Sequence, residues 1–188
     1  MTSGARRFAY VAHCLLNANA KVDEWAPCAG VHRPLLDLLR RRGFVLRQLP
    51  CPELAFAGLN RFWQVREQYD TPAYRRHCAT LAAPVAALIA ADLRGGGDVV
   101  LVGVDGSPSM GVRLTVSGPD WGGRPDKPGD FDGEIVAGRG IFVEVLLERL
   151  DTLGVPGVGA TAVGMDLPGY DEDRALAALA RALDAPAP

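Results

Sequence analysis

Apolar positions recur along the chain with two periods, one suited to strands and one to helices. Phe8 to His13 alternates and is rich in aromatic and β-branched residues before a polar stretch from Asn17 to Lys21, which predicts a strand and its exit loop. Val31, Leu35, Leu38 and Leu39 then recur at helical spacing, with Pro34 in the first turn and Gly43 placed to end the helix. Phe44 to Leu49 reads as a second strand. Pro50-Cys51-Pro52 must stop it, because proline withholds a ladder donor and restricts the residue before it. Cys51 is therefore expected at a strand's carboxyl end.

From Thr71 to Arg94 the apolar residues Tyr74, Cys78, Leu81, Val85 and Leu88 step by helical intervals, with Thr71-Pro72 as cap and first turn. Cys78 lies in this apolar stripe and is expected in the core, whereas His77 falls on another face as a surface or supporting group. Gly95-Gly96-Gly97 ends the helix. Val99 to Val104 follows as a continuous apolar run, the signature of a central parallel strand covered on both faces. Asp105 to Gly111 forms its exit turn. Ile141 to Leu153 reads as an amphipathic helix, Val158 to Met165 as a strand and Asp171 to Leu183 as an Ala-rich closing helix. His32 opens a helix without a partner signal.

Strands alternating with helices predict an α/β fold: a single-domain, mostly parallel open sheet flanked by helices, a Rossmann-like three-layer arrangement. At 188 residues and 48% hydrophobic content the chain can build one core, so residues 1–188 are expected to form one domain. Strand order is left open. Residues 117–138 are crowded with Gly, Pro and Asp and too long for a simple connector, which predicts a lid or substrate loop.

A formal net charge of -2 removes any overall basic field, so neither a nucleic-acid polymer nor an anionic membrane is expected as a partner. No apolar run approaches the roughly 20 residues of a membrane span, and Met1 to Arg7 leads into a strand without a signal-peptide core. The default compartment is the cytoplasm. There Cys14, Cys28, Cys51 and Cys78 are expected as reduced thiols, available for ligation, catalysis or packing. Two other patterns fail their own motif contexts. The Gly157 to Gly164 segment has the wrong spacing for a nucleotide loop, and Asp130, Asp132 and Glu134 lack the order of a calcium loop.

Open parallel sheets bind ligands outside the carboxyl ends of their strands. Three predicted exits carry unusual chemistry: His13-Cys14, Cys51-Pro52-Glu53 and Ser107-Pro108-Ser109-Met110. Taken singly, each also has an ordinary reading as a buried thiol or a turn. Together they predict one site on one edge of the sheet.

These segments sit within longer motifs: His13-Cys14-Leu15-Leu16-Asn17 with Asn19 and Lys21-Val22, Leu49-Pro50-Cys51-Pro52-Glu53, Glu67-Gln68-Tyr69-Asp70-Thr71-Pro72, Arg75-Arg76-His77-Cys78, and Gly103-Val104-Asp105-Gly106-Ser107-Pro108-Ser109. In that order they resemble the thiouracil desulfidase family, from Tyr10 to the helix containing Ile141-Phe142. The resemblance implies an enzyme that converts a small thiocarbonyl compound, a thiolated nucleobase or thioamide, to its carbonyl form with release of hydrosulfide. It also implies a 4Fe-4S cluster held by three cysteines, whose open iron polarises the substrate sulfur.

By that resemblance two ligands fall on Cys14 and Cys51, while the third, expected in Ser-Pro-Ser-Cys-Gly, falls on Met110. A neutral thioether replaces a thiolate poorly at such a centre. Three arrangements are left open: Cys28 supplies the third thiolate; Met110 completes a weakened site with water or substrate; or the cluster is lost. The last would leave a soft site for monovalent copper, zinc or a small ligand, or a cysteine nucleophile at Cys14 or Cys51. Glu53 and Ser107 are the implied proton-transfer groups, and Asn17, Ser109 and Trp121 the implied substrate contacts. A homodimer is left open.

Overall fold

The first strand, β1 (Arg7–Val11), is buried along most of its length because it lies inside the sheet rather than at its edge. The computed structural model describes residues 5–22, 26, 28–120, 133–155 and 158–184. The predicted strand extended to His13, yet the chain curls two residues earlier into α1 (His13–Leu16). Ala12 still donates its N–H to Val102 O at 2.9 Å, and its own carbonyl already accepts from Leu15. Cys14 thus sits in a helical turn just beyond a strand. A 3-10 turn at Ala18–Ala20 leads to Lys21.

Helix α2 (Arg33–Arg41) buries Leu35, Leu38 and Leu39 and is capped by His32, whose Nδ1 accepts the Leu35 N–H at 3.3 Å. Buried His32 also has partners that its sequence did not signal, with Nε2 3.2 Å from Glu172 Oε2. β2 (Phe44–Gln48) ends before the proline pair, and Cys51 becomes the N-cap of α3 (Pro52–Ala57), an unpredicted helix. A second short helix, α4 (Arg66–Tyr69), precedes α5 (Pro72–Arg94).

The 23-residue α5 is capped by Thr71 and ends at the glycine run, as its spacing requires. By length and composition alone it would pass as a membrane span. In the fold, its Tyr74, Cys78, Ala82, Ala86 and Ile89 are core residues, which places Cys78 where its phase predicted. His77 is half-buried beside it, with Nε2 3.2 Å from Pro52 O.

β3 (Asp98–Val104) carries the apolar run and lies beside β1, with Val11 opposite Val102. Beyond its exit turn, β4 (Leu114–Ser117) pairs antiparallel with β5 (Glu134–Ala137), so both ends of the expected lid form a small ladder. Trp121, Asp130 and Asp132 lie outside the described residues. α6 (Ile141–Thr152), β6 (Gly159–Val163) and α7 (Glu172–Asp184) complete the order.

The main sheet is parallel in the order β2-β1-β3-β6. Right-handed crossovers place α5 and α6 on one face and α2 and α7 on the other, and the helices of each pair touch. This is the predicted helix-covered parallel sheet. Because the chain leaves β1 toward β2 and returns past it to β3, the crevice above β1 and β3 is the topological switch point.

Candidate functional site

The exit of β3 is held by a buried carboxylate. Asp105 Oδ1 accepts the N–H groups of Val112, Arg113 and Leu114 at 2.9–3.2 Å, while Oδ2 accepts two bonds from the Arg113 guanidinium. The turn between them is closed by Ser107, whose Oγ accepts the N–H of Ser109 at 3.3 Å and of Met110 at 3.1 Å. Its carbonyls in turn cap α6: Pro108 O accepts from Ile141 N at 3.0 Å, and Ser109 O from Phe142 N at 3.1 Å. Such close docking requires Gly140, since a Cβ there would stand 2.3 Å from the Ser109 carbonyl carbon.

Glu53 reaches this turn from the first helical turn of α3. Ser109 Oγ donates to its Oε1 at 2.5 Å and Ser107 Oγ to the same atom at 3.4 Å, while Arg61 Nε donates to Oε2 at 3.4 Å. The carboxylate and guanidinium are largely buried, with side chains 14% and 5% exposed. Behind them, burial raises the Tyr69 and Tyr74 hydroxyls, and the neighbouring Glu53 charge adds to the shift.

A cavity of about 200 Å³ opens between these elements. Cys14, Cys51 and Met110 give it three sulfur-bearing walls, Glu53, Ser107 and Ser109 a hydrogen-bonding wall, and Lys21 and Asp166 a charged corner. Burial pushes the Cys14 thiol up to about 12, a rise opposed by the Lys21 ammonium. Burial also raises Cys51, and Glu53 adds to the effect, while the Leu54 N–H bond to its sulfur works in the opposite direction. Burial thus favours the neutral thiol at both cysteines.

Lys21 and Asp166 form an ion pair, Nζ to Oδ1 at 2.5 Å, with side chains 7% and 16% exposed. Burial works against the Lys21 charge, yet its pKa rises because Asp166 and the nearby acids outweigh that cost. Burial raises the Asp166 carboxyl, with Lys21 opposing the rise.

Of the residues anticipated from sequence, Cys14, Cys51, Glu53, Ser107, Ser109 and Met110 share the cavity. Cys28 and Asn17 do not line it. Cys28 lies in the neighbourhood of Tyr170, whose hydroxyl pKa is raised first by burial and in smaller part by Cys28. Trp121 is outside the described residues. His13 turns away, with Nδ1 2.9 Å from the Gln48 side-chain nitrogen. Lys21, Arg61, Trp63 and Asp166 line the cavity without having been assigned to it from sequence. Asp166 had a legible signal, because it follows β6 just as the other site residues follow their strands.

The donor set does not fit a cluster held by three thiolates. Two cavity thiols stand with a buried thioether at Met110, and among the described residues no three His, Cys, Asp or Glu side chains are grouped to hold a metal ion. A thioether carries no charge to offset the irons of such a centre.

Comparison with known proteins gives three findings. No family model matches the chain. It is 29% identical over 107 residues to the uncharacterized protein MJ0003 of Methanocaldococcus jannaschii, a stretch covering 57% of this chain and 69% of the relative. Among solved structures it is similar to the 4Fe-4S-dependent thiouracil desulfidase TudS, with a TM-score of 0.46 and 21% identity over 95% of this chain and 99% of that one.

Proposed function

We propose that the cavity hydrolyses a small thiocarbonyl compound, a thiolated nucleobase or thioamide, to its carbonyl form with release of hydrosulfide. The observation that carries this reading is Glu53, which accepts hydrogen bonds from Ser107 and Ser109 in the same cavity as Cys14, Cys51 and Met110. A carboxylate in the cavity wall can act as a general base, while the sulfur-lined wall offers polarizable contacts for a soft substrate atom. The motif resemblance supplies the substrate class. At about 200 Å³ the cavity lies below the usual range for drug-sized ligands, which favours a single-ring or smaller compound.

The reaction closes without a redox step. Water adds to the thiocarbonyl carbon as Glu53 takes one proton, and the π pair moves onto sulfur. Glu53 releases that proton to solvent and sulfur takes one from solvent; Glu53 then takes the hydroxyl proton as the C–S bond breaks and hydrosulfide leaves with the bonding pair. The carbonyl product remains and Glu53 returns its proton to solvent. Ser107 and Ser109 hold the carboxylate throughout, and Ser107 also fixes the turn that carries Ser109. No step is assigned to a cluster, whose donor set the site does not complete.

The test is turnover of 2-thiouracil and thioacetamide by anaerobically purified protein, read as hydrosulfide release and loss of thiocarbonyl absorbance, with iron and sulfide measured on the same sample. Release that Glu53→Gln abolishes supports the reading. Absence of release from either compound, before and after iron-sulfide reconstitution, overturns it.

A second reading follows from Cys14, Cys51 and Met110 alone: a binding site for monovalent copper or zinc, since two thiolates and a thioether form a soft donor set. Stoichiometric uptake in competition with a chelator, lost on Cys14→Ser or Cys51→Ser, would support it.

A further inference from the structure

The Lys21–Asp166 pair has no role in the reaction outlined above, and its position asks for one. Placing an ammonium and a carboxylate together in a cavity wall is costly unless geometry and further contacts compensate. Asp166 accepts one bond from Lys21 and is its hydrogen-bond partner among the described residues. An ammonium has three N–H donors, so two have no partner among the described residues and can serve a ligand. The pair is also built into the site rather than hung at its edge. Lys21 N–H closes the 3-10 turn on Ala18 O at 3.0 Å, and Gly106 lets the β3 exit turn approach Asp166, where a Cβ would stand 3.1 Å from the Asp166 Cβ.

We propose that Lys21, anchored by Asp166, is a catalytic residue that binds the departing sulfur as an anion, defining a hydrosulfide subsite beside Cys14. The proposal rests on the hydrolytic reading of the cavity and adds to it the orientation of the substrate. The cavity holds two ion pairs, Glu53–Arg61 and Lys21–Asp166. At one side the Glu53 carboxylate has both oxygens engaged, Oε1 by the hydroxyls of Ser107 and Ser109 and Oε2 by Arg61, and it offers an anionic sulfur no donor of its own. At the other, the buried Lys21 ammonium, held by Asp166, lines the same wall as Cys14 and offers hydrogen-bond donors to an anionic sulfur. The carbon under attack lies between, with water on the Glu53 side and sulfur on the Lys21 side.

As the π pair moves onto sulfur, Lys21 N–H groups strengthen their hydrogen bonds to it without giving up a proton. A donor aimed at charge that develops only in the transition state raises kcat more than it lowers KM. Asp166 keeps the ammonium in place and preserves its charge, which makes Asp166 a positioning residue.

The experiment has two arms. In the first, hydrosulfide is titrated into reduced, substrate-free protein and binding is followed by the fluorescence of Trp63, which lines the cavity. Wild type is expected to saturate. Lys21→Met should weaken binding at least tenfold, and Lys21→Arg should restore most of it. The paired variant Lys21→Met/Asp166→Leu replaces both charges with apolar groups and keeps the test decisive if the single variant fails to fold. It is expected to fold and to lack hydrosulfide binding. Wild-type affinity in a folded Lys21→Met or paired variant overturns the proposal.

In the second arm, Lys21→Met should lower kcat for thioacetamide about 100-fold with KM changed less than threefold, the order seen when one oxyanion-type donor is removed. Equal loss in KM alone would mark a structural or ground-state role and overturn the catalytic assignment. If no thiocarbonyl compound is turned over but hydrosulfide still binds through Lys21, the hydrolytic reading fails while the anion subsite stands.

Discussion

Ser109 donates its hydroxyl hydrogen to Glu53 at 2.5 Å, so the exit turn of β3 and the first turn of α3 converge on one carboxylate. Removing the carboxylate charge should cost far more activity than removing the hydroxyl. Glu53→Gln is expected to lower kcat by roughly 100- to 10,000-fold, the range for a positioned general base. Ser109→Ala leaves Glu53 its contacts with Ser107 and Arg61 and should cost about 1 kcal/mol of stability with a smaller loss of rate. Steady-state rates and urea unfolding of the two variants check the order.

Gly140 is a second point of convergence. Its φ of -69° suits any residue, so the demand for glycine comes from packing: an added Cβ would lie 2.3 Å from Ser109 C and 2.6 Å from Met110 N. Backbone cannot yield as a side chain tip does. Gly140→Ala should therefore destabilise the protein by about 3 kcal/mol or more, as overpacking against fixed atoms does, and displace Ser109 from Glu53. The expected signature is a lower urea midpoint together with a rate loss at least equal to that of Ser109→Ala.

These two relationships show what the sequence made legible. Val99 to Val104 could be read as a central strand because its apolar run has few other interpretations, and its exit turn followed. The end of β1 was harder, since Ala12 and His13 fit a strand or a helical turn equally well until the Ala12 carbonyl accepts from Leu15. α3 hid behind Pro52, where the same proline that stops a strand also suits the first turn of a helix. The β4–β5 ladder frames the Gly- and Pro-rich stretch, β4 ending at its first residue and β5 lying inside it, and strands of four residues carry too short a pattern to stand out beside that composition. Lys21 and Asp166 are 145 residues apart, and no local pattern announces a pair at that separation. Strand-exit logic gathered six of the site residues because topology, rather than spacing, brings them together.

Cys78 offers a contrast with the cavity cysteines. It is fully buried in the face of α5 that packs on the core, and burial pushes its thiol up to about 12. Cys78→Ala should cost about 1–2 kcal/mol through lost packing and leave turnover and hydrosulfide affinity within twofold of wild type. Chemical denaturation and the activity assay separate it from Cys14→Ala and Cys51→Ala, which remove sulfur from the cavity wall.

Met110 is the position at which a single substitution tests the donor set. Met110→Cys restores a third sulfur able to ionise beside Cys14 and Cys51. After anaerobic reconstitution the variant is expected to retain iron and inorganic sulfide through gel filtration, with the broad visible charge-transfer absorption of a thiolate-bound cluster. The parent protein should retain substantially less. Equal retention by both would show that Met110, or another group, already completes the site.

The raised thiols also set an alkaline limit on the fold. An acid whose pKa is higher folded than unfolded has no linked effect while both states hold the proton. Above the unfolded value the unfolded chain releases its proton first, and stability falls as pH rises. For Cys14 that window runs from its ordinary 9.0 to about 12. Each unit corresponds to about 1.4 kcal/mol, so the Cys14 contribution to alkaline destabilisation is at most about 4 kcal/mol. Cys51 and Cys78 act in the same direction, as do the buried tyrosines Tyr10, Tyr69 and Tyr74. Urea midpoints measured between pH 8 and 10.5 should therefore decline steadily. Cys14→Ser, which cannot ionise in this range, should show a shallower decline even if its midpoint at pH 8 is lower. A decline of unchanged slope would mean that the Cys14 thiol loses its proton as readily in the cavity as in the unfolded chain, and the cavity would then present a thiolate wall to its ligand.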